Sequence, residues 1–160
     1  NAKAGSIIAQ KAGIYGMVGG QSVDVWLTDK AVGQNDLEFI FQCKTGALIE
    51  AAFMAGGVLA GAGNDTVKQL EKAGNLVGVA FQIKDDILDL EGNPELTGKN
   101  TGSDEKKGKV TYVSELGIDG AKQALRKKEE EAYSILNKLD DSIAVSGLRE
   151  IVQMFAQRDQ

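Results

Sequence analysis

The sequence predicts an all-α fold. Apolar residues recur at helical spacing over long stretches, proline occurs only once, at Pro94, and nothing alternates at period two long enough to make a strand. Residues 2–27 repeat Ile7, Ile8, Ile14, Val18 and Val25 on a helical period. A second stretch covers 36–60, with Asn35 or Asp36 suited to cap its start and Gly61 and Gly63 suited to end it. Within it, residues 47–62 are the most apolar run of the chain. They include Glu50 and fall short of the ~20 apolar residues a membrane span needs, so they read as a buried core helix.

A third helix is expected from Asn64 or Asp65, both good capping residues, to Leu90, where Gly92, Asn93 and Pro94 break the pattern. Residues 95–109 are polar, glycine-rich and aperiodic, which predicts a long exposed loop of the kind that is functional or disordered inside a compact domain. Helices resume over 111–116, 118–139 and 146–158. Six glycines fall inside helical stretches: Gly16, Gly19, Gly20, Gly46, Gly56 and Gly57. Each costs about 1 kcal/mol relative to alanine in a helix interior, and close helix–helix packing accounts for most of them. At Gly46, beside Lys44 and Thr45, approach of a ligand to the backbone is a rival explanation.

Composition narrows the chemistry. The 42% hydrophobic and 26% charged content over 160 residues is that of a globular protein with one domain's worth of core. A net charge of −5 argues against a nucleic-acid partner, which needs clustered basic residues, but leaves room for a small phosphorylated substrate. The single cysteine, Cys43, permits no intrachain disulfide and fits a reducing compartment such as cytoplasm. There is no histidine, so Ser-His-Asp and Cys-His catalysis, His-ligated zinc and imidazole acid–base chemistry are excluded. Any enzyme here works with carboxylates, amines, hydroxyls, backbone dipoles or a hard cation. Asn1 is not an initiator methionine and no signal peptide is visible, so the chain is expected to be processed, truncated or part of something longer.

The sharpest feature is Phe81-Gln82-Ile83-Lys84-Asp85-Asp86-Ile87-Leu88-Asp89. On a helix, Gln82, Asp85, Asp86 and Asp89 fall within roughly one 100° arc, and Val79, Ala80, Phe81, Ile83, Ile87, Leu88 and Leu90 occupy the remainder, which is expected to pack into the core. A solvated acidic face is the plain reading. Against it, aspartate is a poor helix former, and like charges at i, i+4 cost roughly 0.2–0.5 kcal/mol per pair, which a bound cation would remove. Oxygen ligands without His or Cys point to Mg²⁺ rather than zinc, with substrate phosphate filling its sphere. Both readings stand on the residues alone. Lys44-Thr45-Gly46 supplies a cation, a hydroxyl and a bare backbone, a compact phosphate clamp or simply a surface lysine beside a packing glycine. In the loop, Lys99, Asp104 and Lys109 are placed to fold over a phosphate or a metal, whereas Lys106 and Lys107 fit a solvated surface.

Together these segments resemble the second half of the trans-isoprenyl diphosphate synthase family, most closely its bacterial farnesyl and geranylgeranyl diphosphate synthases. The resemblance runs through Gly19-Gly20-Gln21-x-x-Asp24, Lys44-Thr45-Gly46-Ala47-Leu48 and Gly78-x-Ala80-Phe81-Gln82-x-x-Asp85-Asp86-Ile87-Leu88-Asp89. It continues through Gly98-Lys99, Gly102-Ser103-Asp104, Lys109, Thr111-Tyr112 and Leu116-Gly117. It implies a helical bundle around a central cavity, usually a homodimer. It implies Mg²⁺ at Asp85, Asp86 and Asp89, with Asp104 near the metal. Lys44, Lys99 and Lys109 would hold an allylic diphosphate, lined by Thr45 and Gln82, and the catalytic groups would be Lys44, Lys99 and Asp85. The implied reaction joins that allylic diphosphate to isopentenyl diphosphate, giving farnesyl or geranylgeranyl diphosphate.

One departure is large. The family has a first aspartate-rich motif that is absent here, since Asp140-Asp141 lacks the third aspartate and the apolar setting. Residues 1–160 are therefore expected to be the C-terminal portion of one domain, inactive alone. A non-catalytic partner subunit is a rival, disfavoured by the intact Asp85, Asp86 and Asp89. A helical terpene cyclase lacks the Lys-Thr-Gly and Gly-Lys…Asp…Lys pattern in this form, and a purely structural bundle leaves the joint motifs unexplained.

Overall fold

A computed structural model describes residues 1–28, 30, 33–91, 110–139 and 143–156. The all-α expectation holds: the described residues form helices joined by turns, and none of them is in a strand. In chain order these are α1 (Ala2–Ala12), α2 (Met17–Trp26), α3 (Gln34–Phe41), a π-helical turn (Gln42–Gly46), α4 (Ala47–Leu59), α5 (Asn64–Glu91), α6 (Tyr112–Leu136) and α7 (Ile143–Ala156). No helix among the described residues is long and apolar enough to cross a membrane.

The boundaries correct several expectations. Residues 2–27 are two helices, not one, because Gly13 leaves the helical path and Gly16 starts α2 from a non-helical backbone. A Cβ on Gly16 would stand 1.9 Å from the Lys11 carbonyl oxygen and one on Gly19 2.1 Å from that of Ile14. Those glycines serve this tight turn rather than helix–helix packing. Gly56 has open space around it and packs against nothing. Helix α3 is capped from inside: Asp36, at its third position, accepts the Gly33 amide at 3.2 Å. Gly61, at φ 80°, ends the run after α4, as expected of the residue that tolerates the left-handed region. Thr111 caps α6 through a reciprocal pair, its hydroxyl accepting the Ser114 amide at 3.1 Å while the Ser114 hydroxyl accepts the Thr111 amide at 2.9 Å. The helices anticipated on either side of Gly117 meet there in a kink, with Gly117 at φ 70°.

Helix α5 is the axis of the fold. Its 28 residues span about 42 Å at helical rise, and it packs against α4, the π turn, α6 and α7. Its first half contributes Leu70, Ala73 and Val77 to a core cluster with Phe53, Ala132, Leu136 and Val152. Its second half contributes Val79, Ala80, Ile83 and Ile87 to another with Leu27, Ile40, Phe41, Tyr112 and Leu125. Ile83 and Val79 are fully buried, so the helix is locked in rotation and its polar arc has a fixed direction.

Candidate functional site

Helix α3 does not continue regularly into α4. Gln42–Gly46 forms a π-helical turn, an element that occurs in single turns and often at functional sites. It has no signature in the sequence, because one irregular turn leaves the apolar period of the flanking helices intact. Lys44 and Thr45 lie on this turn. The Thr45 hydroxyl donates to Oε1 of Gln82 on α5 at 3.1 Å, so two residues expected in one pocket do meet. Gly46 is buried, and a Cβ on Gly78 would stand 2.4 Å from its Cα. Gly46 therefore serves backbone contact with α5, and ligand approach is not needed to explain it. The π turn is seated on α5 between Gly78 and Gln82, one helical turn before Asp85.

Asp85 and Asp89 are half-buried and four residues apart, hence on the same face of α5. Asp86 differs. It is 5% exposed, and its Oδ2 accepts the backbone amide of Tyr112 at 3.0 Å. The first amides of a helix have no intrahelical acceptor, and a carboxylate suits the positive end of the helix dipole, so Asp86 anchors α6 to α5. The Tyr112 ring packs on Phe41 with centroids 5.4 Å apart. Burial, then Glu38 and Asp86, push the Tyr112 phenol up to about 12.

Among the described residues, no three His, Cys, Asp or Glu side chains are gathered so as to hold a metal ion unaided. A hard cation such as Mg²⁺ does not require that, since it typically takes one or two carboxylates and fills its sphere with water and substrate phosphate. Asp85 and Asp89 fit that demand, while Asp86 is directed at a backbone amide. Lys99, Asp104 and Lys109 lie outside the described residues.

Two lysines make ionic contacts that were not foreseen. The Lys44 ammonium lies 2.7 Å from Oδ2 of Asp24 on α2. Its signal was present in Gly19-Gly20-Gln21-x-x-Asp24, but sequence spacing alone could not pair residues twenty apart. Lys11 of α1 bonds Glu50 of α4 and, at 2.6 Å, Glu71 of α5, while the Asn75 amide donates to Glu50 at 2.5 Å. Glu50 in the most apolar stretch was the clue that a cation lay opposite. Burial lowers the Lys11 pKa, but the bonds to both glutamates outweigh it and the net shift is upward. The Cys43 thiol is pushed up by burial and then by Glu50, so it is a poor nucleophile.

The family model described as "Polyprenyl synthetase" matches residues 4–151. The farnesyl diphosphate synthase of Micrococcus luteus is 42% identical over 134 residues, covering 84% of this chain and 46% of that protein. The farnesyl diphosphate synthase of Escherichia coli K12 is 38% identical over 157 residues, 97% of this chain and 52% of that protein. The solved structure of a geranyltransferase from Helicobacter pylori, complexed with magnesium and isoprenyl diphosphate, superimposes with a TM-score of 0.80. That structure is 28% identical, over 97% of this chain and 50% of its own. The chain thus spans about half the length of the relatives it matches. The match runs from α1 into α7 and takes in α2, the π turn and the acidic arc of α5: the chain belongs to the polyprenyl synthetase family.

Proposed function

We propose that this chain carries the allylic-diphosphate half of the active site of a trans-prenyltransferase, which joins an allylic diphosphate to isopentenyl diphosphate. The products fitting this reading are farnesyl or geranylgeranyl diphosphate. One observation carries it: the Thr45–Gln82 bond seats the π turn on α5, bringing a hydroxyl and a carboxamide next to the helical turn that begins at Asp85, with Lys44 the adjacent residue of the same π turn.

In this reading Asp85 and Asp89 would hold Mg²⁺, which would supply positive charge to offset the negative charge on the phosphate oxygens. Lys44 does the same from the π turn, joined by Lys99 and Lys109, with Asp104 beside the metal. Charge that develops on the leaving diphosphate meets fixed cations, where electrostatic stabilisation is most effective. Thr45 and Gln82 hold each other in place beside the reacting end. The C–O electron pair leaves with diphosphate, the double bond of isopentenyl diphosphate forms the new C–C bond, and a proton is lost from the adduct. No histidine is needed, because the departing diphosphate is a suitable base.

The substrate geometry is incomplete within these residues. One aspartate-rich motif is present, and apolar side chains face solvent in the turn between α1 and α2 and at the end of α2, with Tyr15 at 87%, Ile14 at 70% and Trp26 at 67% exposure. Such faces need covering, and we assign the cover to the other half of the domain and to a second copy. The test is a prenyl-transfer assay with isopentenyl and allylic diphosphates, with and without Mg²⁺, read by mass spectrometry. Elongation is expected only with Mg²⁺ and only when the residues preceding this chain in the family are supplied. Metal-independent elongation, or none from the completed protein, would overturn the proposal.

A further inference from the structure

Helix α2 packs on the π turn, and two of the contacts lie on one of its faces. At the first, Gly20 lies against the backbone, where a Cβ would stand 2.5 Å from the Lys44 amide nitrogen and 2.7 Å from the Cys43 Cβ. Only a glycine permits that approach, so the distance between α2 and Lys44 is fixed by the sequence. At the second, four residues on and therefore on the same face, Asp24 meets the Lys44 ammonium at 2.7 Å.

We propose that Asp24 is the resident counter-ion of Lys44, holding the ammonium at the site and surrendering it to a diphosphate when one arrives. Asp24 is then a positioning residue that acts through Lys44 and sets the affinity of the site for a polyanion. The proposal rests on the reading that Lys44 meets diphosphate.

Three features support exchange rather than permanent pairing. The Asp24 and Lys44 side chains are 27% and 34% exposed, so a ligand reaches the ammonium without unfolding anything. A pair this open to water is worth little, up to roughly fivefold in an equilibrium constant, so giving it up is easy. A diphosphate offers several charged oxygens against the single carboxylate and wins the competition for the ammonium. Meanwhile the carboxylate keeps a long, flexible side chain from swinging into solvent between turnovers.

The experiment is calorimetric titration of the protein with inorganic diphosphate in excess Mg²⁺, comparing the parent, Asp24→Asn, Lys44→Met and the double variant. Thermal melts run alongside to confirm that each is folded. Asp24→Asn is expected to bind roughly two- to fivefold tighter, the competing charge being gone. Lys44→Met is expected to bind more weakly, and Asp24→Asn to add nothing in its background. Unchanged or weaker binding by Asp24→Asn would overturn the inference. So would an equal gain in the Lys44→Met background, since that would mean Asp24 simply repels the ligand. Failure of the parent to bind would sink the assignment of Lys44 to diphosphate as well, whereas parent binding that Asp24→Asn leaves unmoved sinks this inference alone.

Discussion

Lys11 and Lys44 each bridge helices through a carboxylate, yet the two ends of the molecule use that contact differently. At the α1–α4–α5 end, Lys11 sits between Glu50, 8% exposed, and Glu71, with Asn75 completing Glu50. At the π turn, the ion pair of Lys44 among the described residues is the one with Asp24, and both side chains reach solvent. Burial and the number of partners separate them. An ammonium held by two acids, one of them buried and itself bonded by an amide, is part of the scaffold, whereas one held by a single open carboxylate is available to a ligand.

Exchanging the roles of the two lysines is the way to break that contrast. Lys44→Met is expected to lower kcat/KM for prenyl transfer by about 10²–10³-fold, as loss of a charge-stabilising group does, with little change in the melting midpoint. Steady-state kinetics and calorimetry on one preparation check both halves. Lys11→Met should do the reverse. It leaves Glu50 buried beside Glu71 without its cation, at a cost of about 2–3 kcal/mol, somewhat under the figure for a fully enclosed pair. Urea unfolding measures it, and prenyl transfer well below the midpoint should persist.

The aspartates sharpen the same distinction within one motif. Asp86→Ala deprives a buried backbone amide of its acceptor and should cost about 1–3 kcal/mol, whereas Asp86→Asn keeps an oxygen for Tyr112 and should recover most of it. Equal loss in both variants would mean that the charge, not the hydrogen bond, is what α6 needs.

The smallest effect is on pH. Lys11 and Tyr112 both bind protons more tightly folded than unfolded, from ordinary values of 10.5 and 10.0 respectively. Their contribution is complete below about pH 10 and is lost as pH rises through each raised value, about 12 for Tyr112. Melting midpoints should decline over that range, and less steeply in Tyr112→Phe and in Lys11→Met.

Much of this was legible in the sequence because it depends on periodicity. The long helix from Asn64, the break at Gly117 and the shared face of Gln82, Asp85 and Asp89 follow from the 3.6-residue repeat and from residues that interrupt it. Gly13 and Gly16 were missed as a break because Ile7, Ile8, Ile14 and Val18 keep a helical rhythm across the turn. The π turn was invisible for a similar reason. The division of the acidic motif was hidden because Asp85, Asp86 and Asp89 are alike in type, and only the position of the Tyr112 amide, 26 residues away, sets Asp86 apart. Long-range partners such as Asp24 and Lys44 need the fold.

The most direct test of the account is equilibrium binding of an unreactive allylic thiolodiphosphate to the parent, Asp85→Asn, Lys44→Met and Lys11→Met proteins, with and without Mg²⁺. Binding is expected to require the metal, to be abolished in Asp85→Asn, to be weakened in Lys44→Met and to be retained in Lys11→Met. Binding without metal, or equal weakening by the two lysine variants, would contradict it.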